Sequence, residues 1–371
     1  MNLLWSSRQS PLERRFRGVA PLNRQYRRVR FPTSAFVVGL TLALATLRST
    51  VENARAVQPG CTPSTTTICG IFTAYPVAQR VPHGIVFNPH GKITGLWFTN
   101  RTTDDTSGIV NFLSRTGRAK QYPTATTGSE PGSINYAPDY SLWFTESRAN
   151  KVATIGSARV ITDFDIPTPN SGPFDITRGP NGNMWFTEMT AGKIGTVAPS
   201  GAIKEYAVGA GTQPVDIIAG PDRALWFTEA GVKRMGRLTI EGSLRQFDAG
   251  AQNLSGGLTV ATDNALWFGQ ESQVGRMTTG GKLTEFDLPS GTYMTGAVFG
   301  GKGGGVLIGA IKRNGQGGLV SVSATGRMRE YDFPQKYLLP IEMAQTADGA
   351  YWMSVLSMKK GVSVSTLYNL R

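Results

Sequence analysis

From about residue 70 onward, apolar and polar residues alternate in short runs bounded by Gly, Pro and Asn, the pattern of strands joined by tight turns. One run keeps returning. Leu142-Trp143-Phe144-Thr145-Glu146 reappears as Met184-Trp185-Phe186-Thr187-Glu188 and as Leu225-Trp226-Phe227-Thr228-Glu229. Looser copies are Leu96-Trp97-Phe98-Thr99-Asn100 and Leu266-Trp267-Phe268-Gly269-Gln270, and eroded ones are Val306-Leu307-Ile308-Gly309-Ala310 and Tyr351-Trp352-Met353-Ser354. The central residues fall at 97, 143, 185, 226, 267, 307 and 352, a step of 40 to 46 residues. A steady step of that size in a strand-rich chain predicts propeller blades.

Residues 164–206 read as one unit. Phe174 to Thr177 is a short strand, Gly179-Pro180-Asn181-Gly182-Asn183 a hairpin turn, and Met184 to Thr187 the second strand, followed by a loop from Glu188 to Gly192. Lys193 to Val197 is the third strand, Ser200-Gly201 a turn, and Ala202 to Tyr206 the fourth. Fourth strands close on an aromatic residue at 122, 164, 206, 247, 286 and 331, each after a turn glycine except in one unit, where Ala158 takes the glycine's place. A lone fourth strand, Gly70 to Tyr75, precedes the first complete unit, and the last unit ends on a third strand, Val362 to Leu367. The expectation is an all-β, seven-bladed β-propeller over residues 70–371, closed by the N-terminal strand pairing with the last blade, which removes two sheet edges.

The formal charge is +13, but residues 1–56 hold ten Arg, no Lys and two Glu, leaving +5 for the rest. The remaining basic residues are scattered, which argues against a nucleic-acid partner. An Arg-rich segment, an apolar run from Ala35 to Leu47 and the small-x-small triplet Ala54-Arg55-Ala56 lay out an export signal over residues 1–56, which predicts a periplasmic or extracellular protein. Thirteen apolar residues span only about 20 Å as a helix; the alternative is an uncleaved anchor at residues 35–47. Cys61 and Cys69, in the segment 57–69, are the only cysteines and are expected to pair as a disulfide.

Loops entering each first strand and leaving each second strand converge on one mouth of the central channel, where a small molecule or peptide is expected to bind a monomer. The first-strand slots follow a proline: Pro82-His83, Pro131-Gly132, Pro173-Phe174, Pro214-Val215 and Pro340-Ile341, with Gly256 and Gly296 in the other two blades. The second-strand exits bring Asn100, Arg101, Glu146, Arg148, Glu188 and Glu229. His83 is the candidate base there, and His90 lies in a hairpin turn of the opposite face. The structural alternative for each repeated Glu is a loop cap or a partner for a neighbouring base.

The tandem LWFTE runs, with Lys-Ile-Gly-like third strands and Glu-Tyr/Phe fourth strands, resemble the streptogramin B lyases (virginiamycin B lyases) over residues 70–368. The resemblance implies a seven-bladed propeller that opens a cyclic depsipeptide at its ester bond by elimination, using a histidine base, a second histidine, a glutamate and Mg2+. It places the histidines in the first-strand slots of the last two blades, here Gly296 and Ile341, and the glutamate after the last second strand, here Ser354-Val355-Leu356. The leading expectation is therefore a ligand-binding relative without the full lyase set. The alternatives are an active carbon–oxygen lyase, with His83 as base and Glu146 or Glu188 holding the metal, and a protein-interaction scaffold.

Overall fold

In the computed structural model, the repeated run is the second strand of an antiparallel sheet, four-stranded in the first six copies, and in those six the order of strands follows the sequence. The residues described are 54–56, 72–76, 80–87, 95–102, 108–114, 119–301, 304–333, 336–345, 351–357 and 364–370. They all lie in the compact unit Thr50–Arg371. The third sheet shows the plan: Pro173–Arg178, Met184–Glu188, Lys193–Val197 and Ile203–Ala207 pair in that order. The second strand runs one residue further than the sequence suggested, so Glu188 ends a strand and does not start a loop.

Each letter of the repeated run has a packing role. Trp185 is fully buried and stacks on Tyr206 of the fourth strand at 5.4 Å, as do Trp97 on Tyr122, Trp143 on Phe164 and Trp226 on Phe247. Offset stacks of this kind add to the area each ring buries. Phe186 lies over Gly195 of the third strand so closely that a Cβ there would be 2.1 Å from the ring. Thr187 ties sheets together. Its hydroxyl accepts from the Asp175 amide of its own sheet and donates to the Val215 carbonyl of the next, at 3.0 and 2.8 Å. Thr145 donates likewise to the Phe174 carbonyl.

The turns also follow local sterics. Gly182 and Gly201 have φ of 84° and 88°, in the left-handed region that favours glycine. In the second sheet Arg159, not Ala158, holds the position of Gly201, with φ 60° and its guanidinium 4.8 Å from the Trp97 ring.

Among the described residues there are seven such sheets and no α-helix. The seventh is made from both ends of the sequence: Leu338–Gln345, Tyr351–Ser357 and Val364–Leu370, then Phe72–Pro76 and Ala54–Ala56. Phe72 pairs with Leu370 and Tyr75 with Leu367, while Ala54–Ala56 adds a fifth strand outside them. Each first strand lies against the first strand of the next sheet, and that of the seventh lies against that of the first, Arg80–Phe87. The result is an all-β arrangement that resembles a propeller. The leader before residue 54, the disulfide between Cys61 and Cys69, and His90 lie outside the described residues.

Candidate functional site

The repeated acidic residues face inward, away from solvent. Glu146, Glu188 and Glu229 are completely buried at the ends of their second strands, and each meets the middle residue of the fourth strand in its own sheet. In the fourth sheet Gln246 Nε2 donates to both oxygens of Glu229, at 2.8 and 3.0 Å. In the fifth the roles are exchanged, and Gln270 Nε2 donates to Glu285 at 3.0 Å. The second and third sheets instead set two acids together, Glu146 with Asp163 and Glu188 with Glu205.

Two facing carboxylates have no donor between them unless one is protonated. Burial and the Asp163 charge raise Glu146 to about 7, against the Ser129 hydroxyl and Lys151. Burial raises Glu188 to about 8, with Glu205 adding and Lys193 and Ser171 opposing. Glu205 accepts from the Thr168 amide at 3.2 Å and lies 3.5 Å from Lys193 Nζ, while neither Glu188 oxygen has a hydrogen-bond partner among the described residues. Burial raises Glu229 as well, with the Gln246 hydrogen bonds and Arg234 working against it.

The pH consequence follows. The folded chain holds a proton on Glu188 that the unfolded chain loses above about 4.5, so stability falls as the pH rises from there to about 8. Glu188→Gln copies the Gln270–Glu285 pair and removes the loss. Its expected gain is about 2–4 kcal/mol near pH 9 and close to nothing near pH 4, read from unfolding curves at both. Equal gains at the two pH values would rule the shared proton out.

The remaining predicted residues are spread out. Arg148 is exposed and makes a surface pair with Glu130 at 3.7 Å, worth at most about 1 kcal/mol. Asn100 is buried with its side-chain oxygen unpartnered. Arg101 lies in the strand Gly95–Thr102 opposite Val81. His83 lies at the irregularity between Pro82 and Ile85 in the first strand of its sheet. The side chains of Arg101 and His83 are outside the described residues.

A second set of acidic residues lies one position further along. After Pro173, Pro214 and Pro340 the second residue is Asp175, Asp216 and Glu342. The register shifts just after each proline, so this position sits at or beside a bulge. Counted along the neighbouring first strands, Glu342 is three sheets from Asp175 in one direction and three from Asp216 in the other. Its carboxyl nevertheless feels the charges of both.

Burial comes first in holding Glu342 well above the usual carboxylate range, and Asp175 and Asp216 push it further. Burial also raises Asp175, against hydrogen bonds from Ser133 and from the amides of Ile217 and Ile176, the last two at 2.8 Å. The Asp216 carboxylate accepts from Thr228 at 3.3 Å. All three residues keep partial exposure. Their signal in the sequence is Pro-x-Asp and Pro-x-Glu.

The other side of the axis is glycine-lined. A Cβ on Gly296 would lie 1.9 Å from the Pro340 carbonyl oxygen, and one on Gly256 3.1 Å from the Gly296 carbonyl oxygen. Backbones of the fifth, sixth and seventh sheets therefore touch where the first sheets carry side chains. Among the described residues no three acidic, histidine or cysteine side chains lie close enough to hold a metal ion.

The profile of the virginiamycin B lyase family matches residues 70–362. The chain belongs to the virginiamycin B lyase family. It is similar to a solved streptogramin B lyase at 26% identity, covering 81% of this chain and 98% of that one, with a TM-score of 0.69. It is likewise similar to virginiamycin B lyase from Staphylococcus aureus at 27% identity, covering 81% and 99%, also with a TM-score of 0.69. A catalytically inactive form of the S. aureus lyase with quinupristin matches at 26% identity over the same shares, again at 0.69. No curated protein matches the chain.

Proposed function

We propose that this family member is an exported, closed seven-bladed propeller that binds a positively charged small molecule or peptide on its axis and does not carry out the lyase reaction. The observation that carries the reading is the set of Asp175, Asp216 and Glu342, partly exposed residues of three different sheets, with both aspartates and no basic side chain among the influences on Glu342. Carboxylates spaced across a channel suit an organic ammonium group better than a bare metal ion, which needs its ligands within about 2.0–2.6 Å. The contact between the last and first sheets, and the pairing of Phe72–Pro76 with Val364–Leu370, support ring closure.

The lyase machinery does not fit the residues present. The family resemblance asks for histidines at Gly296 and Ile341 and a glutamate near Val355, which is buried and apolar. Magnesium finds no ligand cluster among the described residues. Losing a general base alone costs roughly 100- to 10,000-fold in rate.

The test is titration of butylamine and of butanol, its neutral analogue, into the chain. The amine is expected to bind more tightly as the pH rises above the ordinary carboxylate range, because Glu342, held well above that range, must ionise to receive it. Glu342→Gln is expected to weaken the amine roughly tenfold, about 1.4 kcal/mol, and to leave butanol unchanged. Ester opening of a type B streptogramin by the wild-type chain, or amine binding indifferent to Glu342→Gln, would overturn the reading.

A further inference from the structure

The sixth sheet breaks the rule that organises the others. Its second strand, Val306–Lys312, carries Leu307 where the neighbouring sheet carries Trp267. In the fifth sheet Trp267 stacks on Phe286 at 5.6 Å, and Arg276 of the third strand lies over the indole and pairs with Asp263 at 2.8 Å. Register puts Trp267 opposite Arg276, and Arg276 opposite Thr284. The equivalent row in the sixth sheet is Leu307, Ser321 and Arg329. Both large groups of the row have become short ones, and the cation has moved to the fourth strand.

Beside this row lies an open cleft of about 730 Å³. Its floor is Leu307, Leu319 and Val306, its wall is Tyr331, and Tyr351 of the seventh sheet closes one side. Phe299 holds Tyr351 edge-on at 5.7 Å. Arg327 and Arg329 stand at the mouth, both exposed, and neither has an acidic partner among the described residues.

We propose that this cavity binds a planar aromatic anion. Its ring takes the place of the missing indole on Tyr331, and its carboxylate or similar group meets the two arginines. The volume lies within the roughly 300–1,000 Å³ of small-molecule sites. The ring is specified by the repeat itself, since Tyr331 occupies the position whose equivalents in the first five sheets lie under a tryptophan at 5.4 to 5.6 Å. The anion is specified by the arginines, whose planar forks match a carboxylate in two hydrogen bonds. The site is separate from the axial carboxylates and of opposite charge preference.

Indole-3-propionate and neutral indole are the probes, titrated into the full chain by calorimetry. Leu307→Trp refills the cavity with the chain's own indole and is expected to abolish binding of both probes while raising the melting temperature. Arg329→Ala, on the exposed rim, is expected to weaken indole-3-propionate roughly tenfold and leave indole unchanged, the share of one charge-assisted hydrogen bond. Glu342→Gln is expected to affect neither, which separates this site from the axial one. If Leu307→Trp does not fold, the Arg327→Ala, Arg329→Ala double variant carries the test. No binding by the wild-type chain, or binding that survives both Leu307→Trp and the arginine variants, would overturn the proposal.

Discussion

Trp226→Ala is expected to destabilise the chain by about 3–5 kcal/mol, the usual cost of deleting a large buried aromatic side chain. Three losses combine. The indole is wholly buried in a cluster with Met235, Leu254, Leu266 and Phe268, so it joins the fourth sheet to the fifth. Its stack on Phe247 at 5.4 Å is lost. Its Nε1 donates to Asp222 at 2.9 Å, and Asp222 also accepts from Arg237 at 2.6 Å. Burial pushes Asp222 up, but the hydrogen bonds from Trp226 and Arg237 and the Arg237 charge hold its carboxyl below the ordinary value. Removing the indole leaves a half-buried carboxylate with one partner fewer. Denaturant unfolding measures the loss, and Trp226→Leu, the residue found at this position in the sixth sheet, is expected to lose less. A cost below about 1 kcal/mol for Trp226→Ala would mean that the indole is not what joins these sheets.

The sheets were legible because their period is written in large side chains. A residue that fills the gap to the next sheet must return once per sheet, and Trp97, Trp143, Trp185, Trp226 and Trp267 do so. The chemistry was less legible for the same reason. A residue repeated in every sheet is selected first by what every sheet needs. Thr145 and Thr187 repeat because each ties one sheet to the next. Glu146, Glu188 and Glu229 repeat because each closes a polar pair with the fourth strand. The residues two past the proline differ between sheets: Ser133, Asp175, Asp216 and Glu342 share a position, not a residue type, and Asp175 also ties its sheet to the next through the Ile217 amide. Alternation counted from the proline does not carry through, because the bulge after Pro173, Pro214 and Pro340 inserts an extra residue into the count. Only the backbone register reveals that shift. The cavity over Leu307 was visible as an eroded copy of the repeat, but erosion by itself does not show whether neighbouring groups collapse to fill the space.

Gly296→His is expected to cost about 3 kcal/mol or more and to create no lyase, although the family resemblance calls for a histidine there. The obstacle is space, since Gly296 is not among the residues with positive φ. A Cβ would sit 1.9 Å from the Pro340 carbonyl oxygen and 3.3 Å from Leu339 Cδ1. The first is far inside van der Waals contact and involves backbone, which cannot swing aside as a side chain can. Neighbouring glycines show the approach to be general here: Cβ atoms on Gly269 and Gly309 would lie 2.2 and 2.7 Å from the carbonyl oxygens of Gly256 and Pro340. A histidine at 296 must therefore push the first strands of the sixth and seventh sheets apart. Ile341→His meets no such barrier and is expected to fold, yet also to leave a streptogramin ester intact, because one imidazole beside Glu342 still lacks its second base. Thermal unfolding separates the two variants, and ester opening is assayed on both. A Gly296→His chain that melts like the wild type and turns over the depsipeptide would show that the first strands of the sixth and seventh sheets can part to admit the imidazole.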